Sequence, residues 1–290
     1  MRSVNRRFLY FLWLALVCLS GSASAHQLEI HGSNTIGATL APTLMTAFLQ
    51  QLSGAAVTTK GTGAVNETVL STLHDGKTLS VLVAAHGTST GYAALAANKA
   101  DIWAASRRVT DKELVAMASR ADLVSADSEH VIVIDGLAIL VHPSNPVNQL
   151  NIDTLARIFA GEISNWSALG GPDRPIHIYA RDDQSGTWDT FKSLVLAGKY
   201  SLSEQAKRYE SNDQLSDDVS ADPAGIGFAG FASVRNSKLL AIADGNAPAL
   251  KPNNLSVATE DYALSRRLYL YTAGANTTPM AQAFIDFAQS

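Results

Sequence analysis

Residues 181–187, with the sequence RDDQSGT, carry side chains suited to binding a small tetrahedral oxyanion. Arg181 supplies a permanent cation whose guanidinium presents a fork of donors. Ser185 and Thr187 add hydroxyl groups, and Gly186 has no side chain, so an anion can approach the backbone closely. We therefore interpret this run as a candidate anion site. The alternative is an ordinary helix cap beside a solvated arginine.

The elements on either side of this run would position it. Residues 175–180 alternate Ile176 and Ile178 with His177 and Tyr179, which is the period of a strand. After the run, apolar residues recur at steps of three and four, as on a helix face: Trp188, Phe191, Leu194 and Val195. The run therefore lies where a strand turns into a helix. There the first backbone N–H groups lack partners, and the helix dipole adds partial positive charge.

Two further strand–turn–helix units carry hydroxyl-rich turns. Residues 28–31 predict a strand, followed by the turn GSNT at 32–35 and an amphipathic helix. Residues 79–84 predict another strand, followed by HGTSTG at 86–91 and an alanine-rich helix at 92–97. Because ligands of open α/β sheets bind at the carboxyl ends of strands, we expect the three turns to converge on one ligand.

Strands and helices alternate along the rest of the chain, which predicts an α/β fold with mainly parallel sheets. The apolar strand at 131–141 is interrupted by Asp-Gly at 135–136, which we interpret as a hinge. We also expect a strand at 57–60, an Asp-Gly turn at 75–76 and a polar helix over 201–221. A chain of 290 residues is long enough for one large domain or two.

The first 25 residues predict a secretory signal peptide. Three arginines precede an apolar run at 8–19, and the sequence ASA at 23–25 provides a small-x-small cleavage site. We expect the mature protein to begin near His26 and to lie in the periplasm. Cys18 lies within the apolar run, so the mature chain would gain its stability from its core rather than from disulfides.

Charge and composition exclude several classes of partner. Three of the 22 Lys and Arg lie in the predicted signal peptide, which leaves 19 against 26 Asp and Glu, a net charge of −7. Such a surface disfavours binding to nucleic acid or an anionic membrane. No His-x-His, His-Glu-x-x-His or cysteine pair occurs in the sequence, so we expect neither a metal nor a cofactor.

Six motifs, in this order along residues 27–290, resemble those of the phosphate-binding proteins of ABC-type phosphate uptake, a family of periplasmic solute-binding proteins. The motifs are Gly32–Ile36, Gly87–Gly91, Asp101–Arg107, Leu155–Trp166, Arg181–Thr187 and Gly225–Phe228. The resemblance implies a monomeric, non-enzymatic protein with two Rossmann-like lobes joined by hinge strands. It also implies one lobe at 26–134 plus 236–290, the other at 135–235, and an ABC transporter permease in the inner membrane as partner.

The resemblance implies that the lobes close over a dehydrated phosphate. The first contact loop would contribute Thr35 and the backbone N–H of Ile36, and the second would contribute Thr88 and Ser89. The remaining implied contacts come from the strand end at 106 and the third loop: Ser106, Arg181, Ser185, Gly186 and Thr187.

Two departures from the family pattern are visible. The best-known relatives carry an aspartate at the position of Ser106, where it accepts the proton of hydrogen phosphate and thereby rejects sulfate. Because a serine can donate or accept, the preference of this chain for phosphate over sulfate stays open. In addition, about 25 residues, roughly 55–81, are inserted between the first two contact loops, and the sequence assigns them no function.

Other functions are compatible with the sequence. Residues 87–91 spell Gly-x-Ser-x-Gly, the nucleophile-elbow pattern of α/β-hydrolases, with Ser89 as the nucleophile. A hydrolase would also need a later acid and a later histidine, for which His130, His142 and His177 are available. Binding of another, sulfate-like oxyanion, or a role as an envelope scaffold or adhesin, would need no catalytic residues.

Overall fold

Strands and helices alternate over much of the chain as the sequence predicts, but strands follow one another without a helix at 58–84 and 238–243. The computed structural model describes residues 26–290, and the predicted signal peptide over residues 1–25 lies outside the described residues. The strands are β1 (Leu28–Gly32), β2 (Thr58–Gly61), β3 (Glu67–His74), β4 (Lys77–Ala84), β5 (Ile102–Ala105), β6 (Glu129–Val141), β7 (Gln149–Asn151), β8 (His177–Arg181), β9 (Lys207–Tyr209), β10 (Gly225–Gly230), β11 (Lys238–Leu239), β12 (Ala241–Ala243) and β13 (Ser265–Tyr271).

The α-helices are shorter than average apart from α2. They are α1 (Asn34–Gly37), α2 (Leu40–Ser53), α3 (Thr88–Ala96), α4 (Asp111–Met117), α5 (Ile152–Phe159), α6 (Gly186–Phe191), α7 (Asn212–Ala221), α8 (Asn254–Ala258) and α9 (Pro279–Ala288). Within residues 26–290, none of these helices has both the length and the apolar character needed to cross a bilayer.

The long strand β6 joins two sheets into one path with the order β2-β3-β4-β1-β5-β13-β6-β10-β8-β9. β1 runs parallel to β4 and β5, and β8 runs parallel to β10 and β9. The first part of β6, up to Gly136, pairs with β13, whereas Leu137–Val141 pair with β10. The predicted α/β fold is confirmed, but the sheets of residues 26–290 are not mainly parallel, since five strand pairs are parallel and six are antiparallel. β6 changes its partner at the Asp-Gly pair interpreted as a hinge.

Each sheet has its own hydrophobic core, which defines two lobes. The first lobe packs β1, β4 and β5 against α2 and α9, around residues such as Leu28, Met45 and Phe284. The second lobe packs β6, β8 and β10 against α5 and α6, where the rings of Phe191 and Phe228 stack with their centroids 4.1 Å apart. The hydroxyl-rich turns at the ends of β1, β4 and β8 are thereby held by packed elements.

Residues 238–264 pack with the second lobe. β11 pairs with the second part of β6, Val257 and Leu264 are buried in the second core, and the hydroxyl of Tyr262 donates to the carbonyl oxygen of Leu137. The predicted lobe boundary at residue 236 does not match this packing. The sequence identifies strands here but not the sheet that they join. We propose that the chain returns to the first lobe at Ser265, where β13 begins.

Two segments differ in detail from the sequence prediction. The insertion at 55–81 extends the first sheet: β2 and β3 form its edge, and the predicted turn at 75–76 joins β3 to β4. The predicted helix over 201–221 is wrong in its first half. There β9 pairs with the edge of β8, and α7 begins only after Ser211, whose hydroxyl accepts from the backbone N–H of Gln214.

Gly91 allows α3 to lie directly against β1. A Cβ at this position would collide with the carbonyl oxygen of His31 and lie 2.5 Å from the ring of Trp103. We expect Gly91→Ala to lower the free energy of unfolding by about 1–3 kcal/mol, the usual cost of overpacking. Urea unfolding measures this cost. Gly61→Ala, whose Cβ would meet only the carbonyl oxygen of Glu67 at 3.8 Å, is the control, and equal stability of the two variants would contradict the packing described here.

Candidate oxyanion-binding site

The three hydroxyl-rich turns meet between the two lobes. Thr35 Oγ1 at the start of α1 lies 3.0 Å from Thr187 Oγ1 in α6, which joins the first and third turns. Thr88 Oγ1, from the second turn, lies 3.2 Å from the hydroxyl of Ser106 at the end of β5. Gly186 fits against this second pair: a Cβ there would collide with Thr88 Oγ1 and lie 2.7 Å from Ser106 Oγ. The predicted convergence of the three turns is confirmed.

The three turns differ in how their helices begin. Ser185 caps α6 by accepting from the backbone N–H of Trp188. Gly87, with a φ of 122°, precedes α3 and lies so close to the backbone of Gln184 that a side chain would not fit. At the start of α1, Ser33 Oγ and Asn34 Nδ2 are buried without a hydrogen-bond partner among the described residues. Buried polar groups are normally satisfied, so this turn is suited to a polar ligand.

Ile36 can contribute only its backbone to the site. Its side chain is fully buried in the core of the first lobe, packed beneath α1. The backbone N–H of Ile36 lies in the first turn of α1, where an intrahelical partner is lacking. This position agrees with a role through the main chain, which stays a prediction.

Arg181 is a buried cation at the end of β8. Its side chain is 1% exposed, and Nε donates to the carbonyl oxygen of Tyr209 at 3.1 Å. The two Nη atoms donate to Asn212 Oδ1 and to the carbonyl oxygen of Glu210. Burial, with a smaller effect from the positive charge of Arg266, lowers the pKa of Arg181 to about 10, so it stays protonated at neutral pH. The three acceptors are neutral, so they satisfy N–H donors of Arg181 without neutralising its charge.

Three residues that the sequence did not assign complete the surroundings of the site. Arg266 in β13 forms a buried ion pair with Asp135 in β6, with Nη2 2.8 Å from Oδ2. Asn212 at the start of α7 accepts from Arg181 and donates to Thr35 Oγ1 at 3.1 Å. Of the three, only Asp135 could have been identified from the sequence, because a carboxylate within an apolar strand needs a buried partner. Nothing in the local sequence marks Asn212.

Ser89 does not join this cluster through its side chain. Its backbone N–H donates to the carbonyl oxygen of Gln184 at 3.1 Å, and the residue lines a separate cavity of about 670 Å³. In the same cavity, Arg107 forms ion pairs with Glu113 and Asp189. The cations at 107 and 108 are therefore neutralised by carboxylates, since Arg108 pairs with Glu129 in the same way.

In the described part of the chain, the histidines considered for a serine hydrolase have other partners. His130 contacts Thr272, His142 contacts Ser144, and His177 contacts Asp222. Within residues 26–290, none of these three histidines forms the hydrogen bond to Ser89 that a catalytic base would make. The Gly-x-Ser-x-Gly pattern at 87–91 reflects a tight strand-to-helix turn without a catalytic triad.

Comparison with known proteins identifies the family of the chain. A family model described as a PBP superfamily domain matches residues 22–290. The phosphate-binding protein PstS of Bacillus subtilis is 31% identical over 163 residues, which cover 56% of this chain. The chain spans about half of that relative, since the alignment covers 52% of the relative's own length.

Two solved structures share the fold over most of the chain. One, from Clostridium perfringens, was assigned as the substrate-binding protein of a phosphate ABC transporter and contains bound phosphate. It is 23% identical, covers 91% of this chain and 93% of its own, and gives a TM-score of 0.70. The other is an ABC-type phosphate transport receptor from Vibrio cholerae, with 24% identity, coverage of 91% and 94%, and a TM-score of 0.64. These likenesses confirm a two-lobed α/β fold.

The inserted strand β3 contributes to a second cluster that joins the lobes. His86, directly before the second turn, contacts Glu67 at 3.1 Å and Glu210 of the second lobe at 2.9 Å. Asn66 also donates to Glu210, at 2.9 Å. Burial alone would lower the pKa of His86, but its hydrogen bonds to Glu67 and Glu210 outweigh this effect and raise the pKa.

A raised pKa of His86 makes its contribution to stability dependent on pH. The contribution should be fully present below the ordinary histidine value of about 6.5 and should fade as pH rises through the raised value. We expect His86→Gln to lower the melting temperature more at about pH 6 than at about pH 9. Thermal unfolding measures the difference, with His142→Gln as control because His142 bonds only to nearby Ser144. A loss independent of pH would show that the charge of His86 does not contribute.

Proposed function

We propose that this chain, which belongs to the PBP superfamily, binds inorganic phosphate between its two lobes as the solute-binding protein of an ABC-type uptake system. The observation that carries this proposal is the buried charge of Arg181 at the meeting point of three hydroxyl-rich turns. Such a charge is costly to bury unless an anion neutralises it. A ligand with several acceptor oxygens would satisfy both the cation and the hydroxyl groups.

The charge balance around the site favours an anionic ligand. Arg266 is neutralised by Asp135, whereas the hydrogen-bond acceptors of Arg181 are neutral. The charges of Asp182 and Glu210 also act on Arg181, but their carboxylates bond elsewhere: Asp182 accepts from the backbone N–H of Gln184, and Glu210 contacts His86 and Asn66. Arg181, Arg266 and Asp135 together therefore carry one net positive charge, opposite in sign to the chain as a whole. An oxyanion bound there depends on local geometry rather than on the field of the whole protein.

The relatives support the choice of phosphate and of a transport role. The Bacillus subtilis relative is named a phosphate-binding protein, and the Clostridium perfringens structure contains phosphate. By analogy, the protein would act as a monomer in the periplasm and deliver its ligand to a permease in the inner membrane. Its own lobes supply every residue of the proposed site, so neither a metal nor a second chain is required.

Titration calorimetry in phosphate-free buffer tests the proposal. We expect phosphate to bind with 1:1 stoichiometry, and a micromolar dissociation constant would correspond to about −8 kcal/mol. Sulfate and molybdate serve as comparison anions. Absence of both binding heat and thermal stabilisation with all three would overturn the transport function and favour a scaffold with the same fold.

Sulfate is the second candidate ligand because of the residue at position 106. Ser106 is 1% exposed, and its hydroxyl lies at the meeting point of the turns, beside Thr88 and Gly186. A hydroxyl can donate to an unprotonated oxygen, whereas a carboxylate in this place would repel it. The nearby carboxylate of Asp135 is engaged by Arg266 and by the backbone N–H of Phe231.

Substitution Ser106→Asp should therefore shift selectivity toward phosphate. A carboxylate can accept the proton of hydrogen phosphate but cannot bond to sulfate, so the phosphate-to-sulfate affinity ratio should rise about tenfold or more. Competition titrations measure the ratio. Ser193→Asp, which adds the same charge at an exposed position, is the control. A ratio equal to that of the wild type would remove Ser106 from the site.

Substitution Arg181→Ala should cost about 2–5 kcal/mol of phosphate binding, the scale observed when one partner of a buried charge pair is removed. Arg181→Lys should recover part of the loss, because it keeps the charge but not the fork of donors. Phosphate titrations measure both, with the exposed Arg174→Ala as a control for net charge. Ser89→Ala should have a much smaller effect. Binding by Arg181→Ala as tight as by the wild type would show that the anion lies elsewhere.

A further inference from the structure

The ion pair of Arg266 and Asp135 lies on the two strands that link the lobes. The residues are direct partners in the antiparallel pairing of β13 with β6. Their side chains are 5% and 9% exposed, and Arg266 Nε and Nη2 both donate to Asp135 Oδ2, at 3.0 and 2.8 Å. Asp135 therefore neutralises the charge of the guanidinium and fixes its orientation.

The remaining donors of Arg266 reach hydroxyl groups of both lobes. Nη1 donates to Thr187 Oγ1 at 3.0 Å and to the carbonyl oxygen of Ser106 at 3.4 Å. Nη2 donates to Thr35 Oγ1 at 3.4 Å. All five N–H groups of the guanidinium are thus used, and Arg266 touches two of the three turns that form the oxyanion site.

These contacts fix the direction in which the two hydroxyls can donate. A hydroxyl has one hydrogen and two lone pairs. Thr35 Oγ1 accepts from both Arg266 and Asn212, so its own hydrogen must be donated, here to Thr187 Oγ1 at 3.0 Å. Thr187 Oγ1 then accepts from Arg266 and Thr35, and its hydrogen is left to point toward a ligand. The hydrogen-bond chain therefore ends in a donor.

We propose that Arg266 is a positioning residue that sets the specificity of the site: it holds Thr35 as a donor to Thr187 and Thr187 as a donor to the ligand, and it thereby selects doubly charged tetrahedral oxyanions that present acceptor oxygens to Thr187. This inference rests on the proposed function and specifies the ionic form of its ligand. A dihydrogen phosphate monoanion carries a second hydroxyl, which would have to find an acceptor. Sulfate carries no hydrogen, and the hydrogen phosphate dianion carries only one. Both anions can therefore turn acceptor oxygens toward the hydroxyl of Thr187.

The carboxylates near Arg266 are each held by donors of the protein. The carboxylate of Asp135 is occupied as described, and Arg181 is a second cation. Asp182 accepts from the backbone N–H of Gln184, and Glu210 is held by His86 and Asn66. The preference for the doubly charged form therefore follows from the donors of Arg266, Arg181 and Thr187 together with carboxylates that are held by other protein groups.

The test compares sulfate with phosphate at about pH 6 and about pH 8.5, because sulfate keeps two charges throughout whereas phosphate gains its second charge in this interval. For the wild type, phosphate affinity should rise with pH while sulfate affinity changes little. For Arg266→Gln, sulfate affinity should fall about tenfold or more, equivalent to one charge-assisted hydrogen bond, and the rise of phosphate affinity with pH should flatten. Arg267→Gln is the matched control, since the neighbouring Arg267 is exposed and pairs with Glu260.

Because Arg266→Gln leaves Asp135 buried without its partner, the double variant Arg266→Gln/Asp135→Asn is measured in parallel. It removes both charges and keeps the shape, and it should show the same flattened pH profile for phosphate. If either folded variant keeps the wild-type phosphate-to-sulfate ratio and pH profile, Arg266 does not set specificity, even though the site binds an anion. If the wild type itself binds neither anion, the proposed function fails, and this inference fails with it.

Discussion

The uncompensated charge of Arg181 is the constraint on which the rest of the site depends. Its side chain is 1% exposed, and its acceptors are two backbone carbonyls and the amide oxygen of Asn212. Neutral acceptors form hydrogen bonds with a guanidinium but do not neutralise its charge. Three hydroxyl-rich turns converge near this charge, so an anion bound there would both neutralise Arg181 and accept from the hydroxyl groups.

The linking strands connect this site to the relative position of the lobes. Asp135 and Arg266 are cross-strand partners in β6 and β13, and through Arg266 they hold Thr35 of the first lobe and Thr187 of the second. The cluster of His86, Glu67 and Glu210 joins the lobes at a second point. The hydroxyl groups of the site can therefore meet only when the lobes are together, so ligand binding and closure are expected to be coupled.

Local patterns in the sequence were sufficient to predict the three turns, the strands that precede them and the α/β fold. Arg181 could be identified because strand period, glycine and hydroxyl groups lie together within one short run. Arg266 and Asn212 could not, because each reaches the site from a distant element through a contact that depends on the tertiary fold. The sheet joined by residues 238–264 was missed for the same reason: strand propensity does not identify the partner strand.

The most direct test is a crystal structure of the mature protein grown with selenate, whose selenium gives an anomalous signal. A single strong peak between the lobes, within hydrogen-bonding distance of Arg181, Thr187 and the backbone of Gly186, is the predicted result. A peak only in the cavity beside Ser89 and Arg107, or no peak between the lobes at saturating selenate, would contradict the assignment of this site.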